Sequence, residues 1–334
     1  MSQPQVIVVG AGPAGTTTAT LLAKQGISVR VLEKAIFPRW HIGESLLPAD
    51  LPIFERLGFV PDKSNYVYKV GAEFINEETG DFALYRFDDA LEGTPPHAWQ
   101  VERARFDTDL ATIAQDNGVE VQFGVKVRHI EISDERVSVE AVTDGGVTTH
   151  HARYLVDATG QDAFLGRRKR TIEPIKGFGV VAVATVFEDL DPAVTAELEE
   201  QGNIKILIRE DGWGWVIPLR GRVSIGMVTQ ERGLGQAMLD EGIDESPLLT
   251  RLTQGATRGQ TWVLRNFAYL NRDAYGRRWG CVGDAAAFLD PVFSSGVSLA
   301  MFGGQGVADV VGPAILEGQE DQPDLLEPHA IRMR

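Results

Sequence analysis

The sequence predicts an α/β protein in which a parallel-sheet domain, built from separated segments, carries an inserted and mostly antiparallel β-sheet lobe. Three observations predict it. Residues 5–33 read as strand, glycine turn, helix, strand and acid. Apolar strand-like runs crowd residues 67–89 and 176–230, and a short apolar strand at 279–284 is followed by a helix over 296–316. A chain of 334 residues suits two lobes or one elaborated domain.

The opening unit is the most legible. Gln5–Val9 is a short apolar strand, residues 10–15 read GAGPAG, residues 16–25 read as a helix, and Ile27–Leu32 is a second strand ending at Glu33. Gly10 permits a tight turn, Gly12 lets the backbone approach a pyrophosphate, and Gly15 lets helix and strand pack closely. Pro13 and Ala14 open the helix, whose N-terminus faces the phosphates. Glu33, followed by Lys34, can accept from ribose hydroxyls. In this context the glycines mark a Rossmann-like unit; a chance glycine turn in a non-nucleotide α/β unit is the competing reading.

Residues 104–117 read as a helix, and 119–156 as short strands around the turn Asp144-Gly145-Gly146. Val156-Asp157-Ala158-Thr159-Gly160 ends a strand in small residues, as a chain passing close to a cofactor must. The inserted lobe shows the runs VGAEFI, FALYRF, VVAVATVF, IKILI and VSIGMV. Between two of them lies GWGWVIP, residues 212–218. Trp213 and Trp215 share one face of a strand, Gly212 and Gly214 leave the other face bare, and Pro218 is expected to end regular pairing. The tryptophans are either large core anchors or an aromatic wall in front of something. Residues 279–284, WGCVGD, deliver Asp284 after Gly283, and DPVFSSG at 290–296 precedes the closing helix. Ser295 and Gly296 there offer amides at a positive helix end, a place for a small anion. The acidic, proline-containing tail after about residue 317 is expected to fray.

Composition excludes more than it identifies. Lys plus Arg total 32 against 47 Asp plus Glu, a net charge of −15, which argues against a nucleic-acid partner. One cysteine, Cys281, excludes an internal disulfide or a multi-thiolate metal site, and reads as a small core residue rather than a nucleophile. The six histidines show no metal-ligand spacing, so no metal is expected. No basic leader precedes the first strand, and no stretch approaches the roughly 20 apolar residues of a membrane span, so the expectation is a cytoplasmic protein without a membrane contact. The basic run Arg167-Arg168-Lys169-Arg170 is either a solvated loop or a docking surface for an acidic carrier protein.

GAGPAG with Glu33, the VDATG segment and Gly283-Asp284 resemble the FAD-binding signature of flavin monooxygenases of the hydroxybenzoate-hydroxylase-like fold. VERARFDTDL fits the same pattern, with Arg103 at the place of the arginine that contacts the cofactor. FPRWHIGESLLP, residues 37–48, is narrower: it is similar to the flavin-dependent halogenases and their geranylgeranyl-reductase-type relatives, in which this segment lies along the flavin. GWGWVIP contains WxWxIP, the mark of the flavin-dependent halogenases (phenol and pyrrole type), and DPVFSSGV is similar to their halide-binding segment. The resemblance implies FAD contacts from the glycine turn, Glu33 and Lys34, from Arg39, Ile42, Gly43, Glu44 and Ser45, and from Arg103 and Val127. It adds Ala158, Thr159 and Gly160, then Gly283, Asp284, Pro291 and Gly296. Ser295 and Gly296 would hold the halide, and Trp213 and Trp215 would stand between flavin and substrate.

Lys69, in YKVGAEF, matches the lysine of the phenol- and pyrrole-type members; without the resemblance it reads as a surface residue. The implied reaction uses reduced flavin, dioxygen and chloride or bromide to make hypohalous acid, which Lys69 relays or activates as a chloramine or as a proton donor. A separate flavin reductase would reduce the FAD, and the substrate would be a small aromatic, free or tethered to an acyl or peptidyl carrier protein. Phe293 stands where tryptophan halogenases carry a glutamate, which favours phenol-like or pyrrole-like acceptors. The family's C-terminal lobe is expected to be missing. The expected organisation is an FAD-binding domain over 1–65, 96–170 and 263–318, a substrate-lobe sheet over 66–95 and 171–262, and a short acidic tail over 319–334. An NAD(P)H-using aromatic hydroxylase, a geranylgeranyl-reductase-like enzyme and a flavin-binding protein without turnover are the alternatives.

Overall fold

Val6–Val9 lies in the middle of a six-stranded sheet in the computed structural model, which describes residues 3–177, 181–229 and 235–332. Val29–Glu33 and then Glu120–Phe123 run parallel on one side of it; Tyr154–Asp157 and Trp279–Cys281 run parallel on the other. The run VIVV is apolar at every position because both faces of the sheet are covered. Val6 and Val8 pack with the helices Pro13–Lys24, Arg103–Asp116 and Ser295–Glu317. Ile7 and Val9 pack instead under a three-stranded antiparallel sheet of Lys126–Ile132, Val137–Thr143 and Gly146–Ala152. Successive side chains thus serve opposite layers.

The inserted lobe is a seven-stranded sheet among the described residues, ordered Thr257–Arg265, Val181–Glu188, Arg222–Thr229, Gly212–Leu219, Ile204–Arg209, Gly71–Asn76 and Asp81–Arg86. Every pairing is antiparallel except Ile204–Arg209 beside Gly71–Asn76. One face packs on the helices Pro192–Gln201, Gln236–Glu245 and Pro247–Thr253; the other carries Ala182, Ile206, Trp215 and Ile217. Three pairings cross the expected domain limits: Val67–Lys69 with Ala98–Gln100, Ile172–Pro174 with Tyr269–Asn271, and the end of Thr257–Arg265 with Val181–Glu188. Residues 1–2, 178–180, 230–234 and 333–334, which fall within the expected ranges, lie outside the described residues.

Several expectations are corrected. The stretch 176–230 is not strand throughout, since Pro192–Gln201 is a helix. Its start is explained by Asp191, whose side chain accepts from the Ala193 amide at 2.7 Å, with Pro192 in the first turn and Gly202 left-handed at the end. Pro218 does not end its strand. Pairing with Ile204–Arg209 stops at Val216, but pairing with Arg222–Thr229 continues through Pro218 and Leu219. The tail is docked over its described residues: Glu320 is buried and receives Arg153 at 2.7 Å and Arg278 at 2.8 Å, and Leu326 enters the core. The basic run is the end of the short helix Phe164–Lys169 rather than a loop. Finally, Ser295–Glu317 does have the length and hydropathy of a span, with a mean hydropathy of 1.4. It is a core helix here, drawn close to Pro13–Lys24 by Gly304, where a Cβ would lie 2.6 Å from the Ala14 carbonyl oxygen.

Candidate active site

A cavity of about 700 Å³ opens along the carboxyl ends of the parallel strands and reaches the inner face of the inserted sheet. Its floor is the glycine turn. Gly10 has φ +105°, and a Cβ there would lie 2.3 Å from the Ala158 carbonyl oxygen; a Cβ on Gly15 would lie 2.0 Å from the Gly10 carbonyl. Both glycines are therefore needed for packing. Gly12 differs, because a Cβ there meets nothing nearer than Arg39 Nη2 at 3.7 Å. The backbone at Gly12 is open to the cavity at the start of a helix, with a guanidinium above it, which fits an anionic pyrophosphate. Glu33 accepts the Ala11 amide at 2.7 Å and the Ala35 amide at 2.8 Å, and each oxygen keeps a lone pair for a hydroxyl. Asp157 is fully buried and orders the VDATG turn by accepting from Thr159 and from the Leu165 amide at 2.8 Å.

Arg103 organises the second wall. It donates to Asp107 at 2.8 and 3.0 Å and to the Ile42 carbonyl at 2.6 Å, fixing the segment Ile42–Ser45 against the cavity. Arg39 shares Asp107 at 3.0 Å. Burial lowers His41 to about 4, so its ring is neutral near pH 7, and burial raises Glu44 to about 7 and Asp284 to about 6.

Trp213 and Trp215 both line the cavity, with ring centroids 5.7 Å apart. Trp215 is 3% exposed, and its Nε1 donates to Ser224 Oγ at 3.3 Å. The ring lies over Gly226, where an added Cβ would fall 2.2 Å from Cζ2. Ser224 and Gly226 were not among the expected site residues; the sequence signal was Gly226 itself, a glycine in a strand interior that marks a close approach.

A family model described as an FAD binding domain matches residues 3–303. A tryptophan 2-halogenase of Chondromyces crocatus is 33% identical over 98% of this chain and 64% of its own length. A 1H-pyrrole-2-carbonyl-[peptidyl-carrier protein] brominase of Pseudoalteromonas luteoviolacea is 34% identical over 93% of this chain and 77% of its own. Among solved structures, the myxobacterial chondrochloren halogenase superposes with TM-score 0.85 at 30% identity, covering 100% of this chain and 79% of that one. The chain belongs to the flavin-dependent halogenases. It therefore shares their FAD-binding fold, and the residues around Gly12 fit that cofactor on the geometry above.

Against this halogenase frame, most of the expected FAD contacts lie on the cavity wall: Gly10, Gly12, Pro13, Ala14, Glu33, Lys34, Arg39, Ile42 to Ser45, Arg103, Val127, Ala158 to Gly160, Asp284, Pro291 and Gly296. Gly15, Gly283, Ser295 and Lys69 are not on it. Gly15 and Gly283 serve packing; a Cβ on Gly283 would lie 3.1 Å from Ala14 Cβ and 3.2 Å from Ala300 Cβ. In the expected halide segment, Ser294 and Gly296 line the cavity rather than Ser295. Lys69 is 1% exposed, which corrects the surface reading. Its ammonium donates to Ser45 Oγ at 2.8 Å and to the Leu46 carbonyl at 2.7 Å, and Ser45 is on the wall. Phe293 is 69% exposed. His41, Gln161, Arg167 and Phe288 also line the cavity and were not foreseen.

Proposed function

We propose that this protein is an FAD-dependent halogenase that consumes dioxygen and chloride or bromide and delivers hypohalous acid to a phenol- or pyrrole-like substrate with the help of Lys69. The observation that carries the reading is a fully buried lysine one hydroxyl away from a cavity walled by Trp213 and Trp215. FAD, when bound and reduced, supplies the two electrons that activate dioxygen. The protein residues do the rest. Gly12 and Arg39 bind the pyrophosphate, while Glu33 and Asp284 accept from hydroxyls. The Ser294–Gly296 turn places helix-terminal amides where a halide can rest. The tryptophans exclude water and substrate from the oxidising end. Lys69 acts on the oxidant, because burial brings its ammonium down to about 7, within reach of proton transfer near neutrality.

The relatives' names support a halogenase and differ on substrate: one acts on tryptophan, another on a carrier-bound pyrrole. Phe293, standing where tryptophan halogenases carry a glutamate, favours a phenol-like or pyrrole-like acceptor, free or carrier-tethered. A separate flavin reductase is the proposed source of electrons. The direct test is incubation with FAD, a reductase, bromide and monochlorodimedone, read by mass spectrometry for the brominated product. Rapid flavin reduction by NADPH without any reductase would favour a hydroxylase instead.

Truncating the wall separates its two readings. Trp215→Ala is expected to raise the hydrogen peroxide released per flavin oxidised and to lower product, because water enters beside the flavin. The deletion also costs about 3–5 kcal/mol of packing, so Trp215→Phe, which keeps most of the ring area, is the folded control. Unchanged peroxide yield in both variants would make these residues core anchors alone.

A further inference from the structure

Besides Ser45, fully buried Lys69 has neighbours that the reading above does not use. Its strand Val67–Lys69 pairs with Ala98–Gln100, and the ring of Phe87 lies 5.3 Å from Nζ. Asp50 is joined to it through one peptide group: Nζ donates to the Leu46 carbonyl at 2.7 Å, and the amide of the same peptide, Leu47 N–H, donates to Asp50. Asp88 is engaged with Arg86, and the Glu44 carboxyl is turned to Ser224. Asp50 is itself fully buried. Its Oδ2 accepts from the Leu47 amide at 3.0 Å and from Ser298 Oγ at 3.0 Å, while Oδ1 is buried without a partner. Ser298 belongs to the helix that begins at Ser295, beside the expected halide turn. A carboxylate so enclosed, with one oxygen left unpaired, is costly unless a cation nearby compensates it.

We propose that Asp50, held by Ser298, is a positioning residue for Lys69, and that Lys69 acts on the cavity through the hydroxyl of Ser45 rather than by direct contact. The geometry supports each part. Ser45 Oγ accepts from Nζ, so its own hydrogen is directed to another acceptor, and Ser45 is the member of the set on the cavity wall. An ammonium can sustain this polarity, with Nζ donating to Oγ and Oγ donating to an oxygen in the cavity; a neutral amine that must be halogenated itself would need to reach the cavity. Only N–H and O–H hydrogen bonds are involved, and no electron is transferred. This rests on the halogenase reading for its consequence in catalysis, but the link between Asp50 and Lys69 is independent of it.

The sign follows from the charges. Burial lowers Lys69, and the Asp50 carboxylate raises it against that trend. Asp50→Asn keeps the shape and removes the charge, so the Lys69 titration, followed by ¹³Cε NMR of lysine-labelled protein and assigned with Lys69→Met, is expected to fall by about one pH unit or more. In the wild type, product per flavin oxidised is expected to decline as pH rises through the Lys69 titration, and in Asp50→Asn that decline moves to lower pH by the same interval. Ser45→Ala is expected to lower product per flavin oxidised about tenfold or more while Lys69 still titrates. Ser298→Ala, a milder change, provides a folded variant if Asp50→Asn is unstable, and shifts both readouts in the same direction by less. An unmoved Lys69 titration in Asp50→Asn overturns the positioning role. Full product in Ser45→Ala, or product that rises with pH through the titration, overturns the indirect route in favour of direct attack by a neutral amine. Absence of product from the wild type with either halide instead counts against the halogenase reading, and leaves the titration to decide on Asp50.

Discussion

Gly12→Val is expected to give a folded but colourless protein. The Cβ itself has room, since its nearest neighbour is the tip of Arg39 at 3.7 Å, so the chain can fold around it. The valine methyls, however, occupy the space where a pyrophosphate must approach the helix amides and that guanidinium. Losing two charge-assisted hydrogen bonds at about 1.5 kcal/mol each weakens FAD about 10²-fold, before any steric cost. Absorbance of the purified protein and a fluorescence titration with FAD measure this, and circular dichroism reports the fold. Gly10→Ala is the contrasting case: its Cβ would sit 2.3 Å from the Ala158 carbonyl at a φ of +105°, so this variant is expected to lose stability whether or not FAD is present. A yellow Gly12→Val protein with unchanged affinity would move the cofactor away from this turn.

The glycine turn was legible because each of its residues answers to a local constraint: a positive φ at Gly10, a close helix at Gly15, an open backbone at Gly12. The paired tryptophans were legible for the same reason, since strand alternation alone places them on one face. What escaped was set by partners distant in sequence. Gly226 is meaningful only because it lies opposite Trp215 across a strand pair, and the docking of the tail depends on Arg153 and Arg278 meeting Glu320. The apolar helix Ser295–Glu317 did not read as a candidate span because its glycines dilute the apolar run; one of them, Gly304, is also what lets it approach Pro13–Lys24. Burial of Lys69 could not be read at all. Nothing in YKVGAEF distinguishes a lysine beneath Ser45 and Leu46 from one in solvent; the short strand it ends pairs with Ala98–Gln100, about thirty positions further along the chain.

Lys69→Ala is expected to oxidise reduced flavin and consume oxygen at near wild-type rates, while halogenated product falls about 10²-fold or more, the scale for losing a positioned acid or amine. The two half-reactions separate because Lys69 is not on the cavity wall. Lys69→Arg is not expected to rescue product: a guanidinium is planar and does not fit between Ser45 and Leu46 as a point donor. Lys69→Met fills the same volume without charge, and the pH dependence of stability that the lysine brings is expected to disappear in it. The sign is fixed by the depressed lysine. Its folded value, about 7, lies under the unfolded value of about 10.4, so the unfolded chain binds more protons between them, and the buried ammonium is an expense to the fold at low pH. Thermal melts at several pH values read this directly, and product formation beside oxygen uptake reads the catalytic half. A well-folded Lys69→Met or Lys69→Ala protein that halogenates like the wild type would remove this lysine from the mechanism.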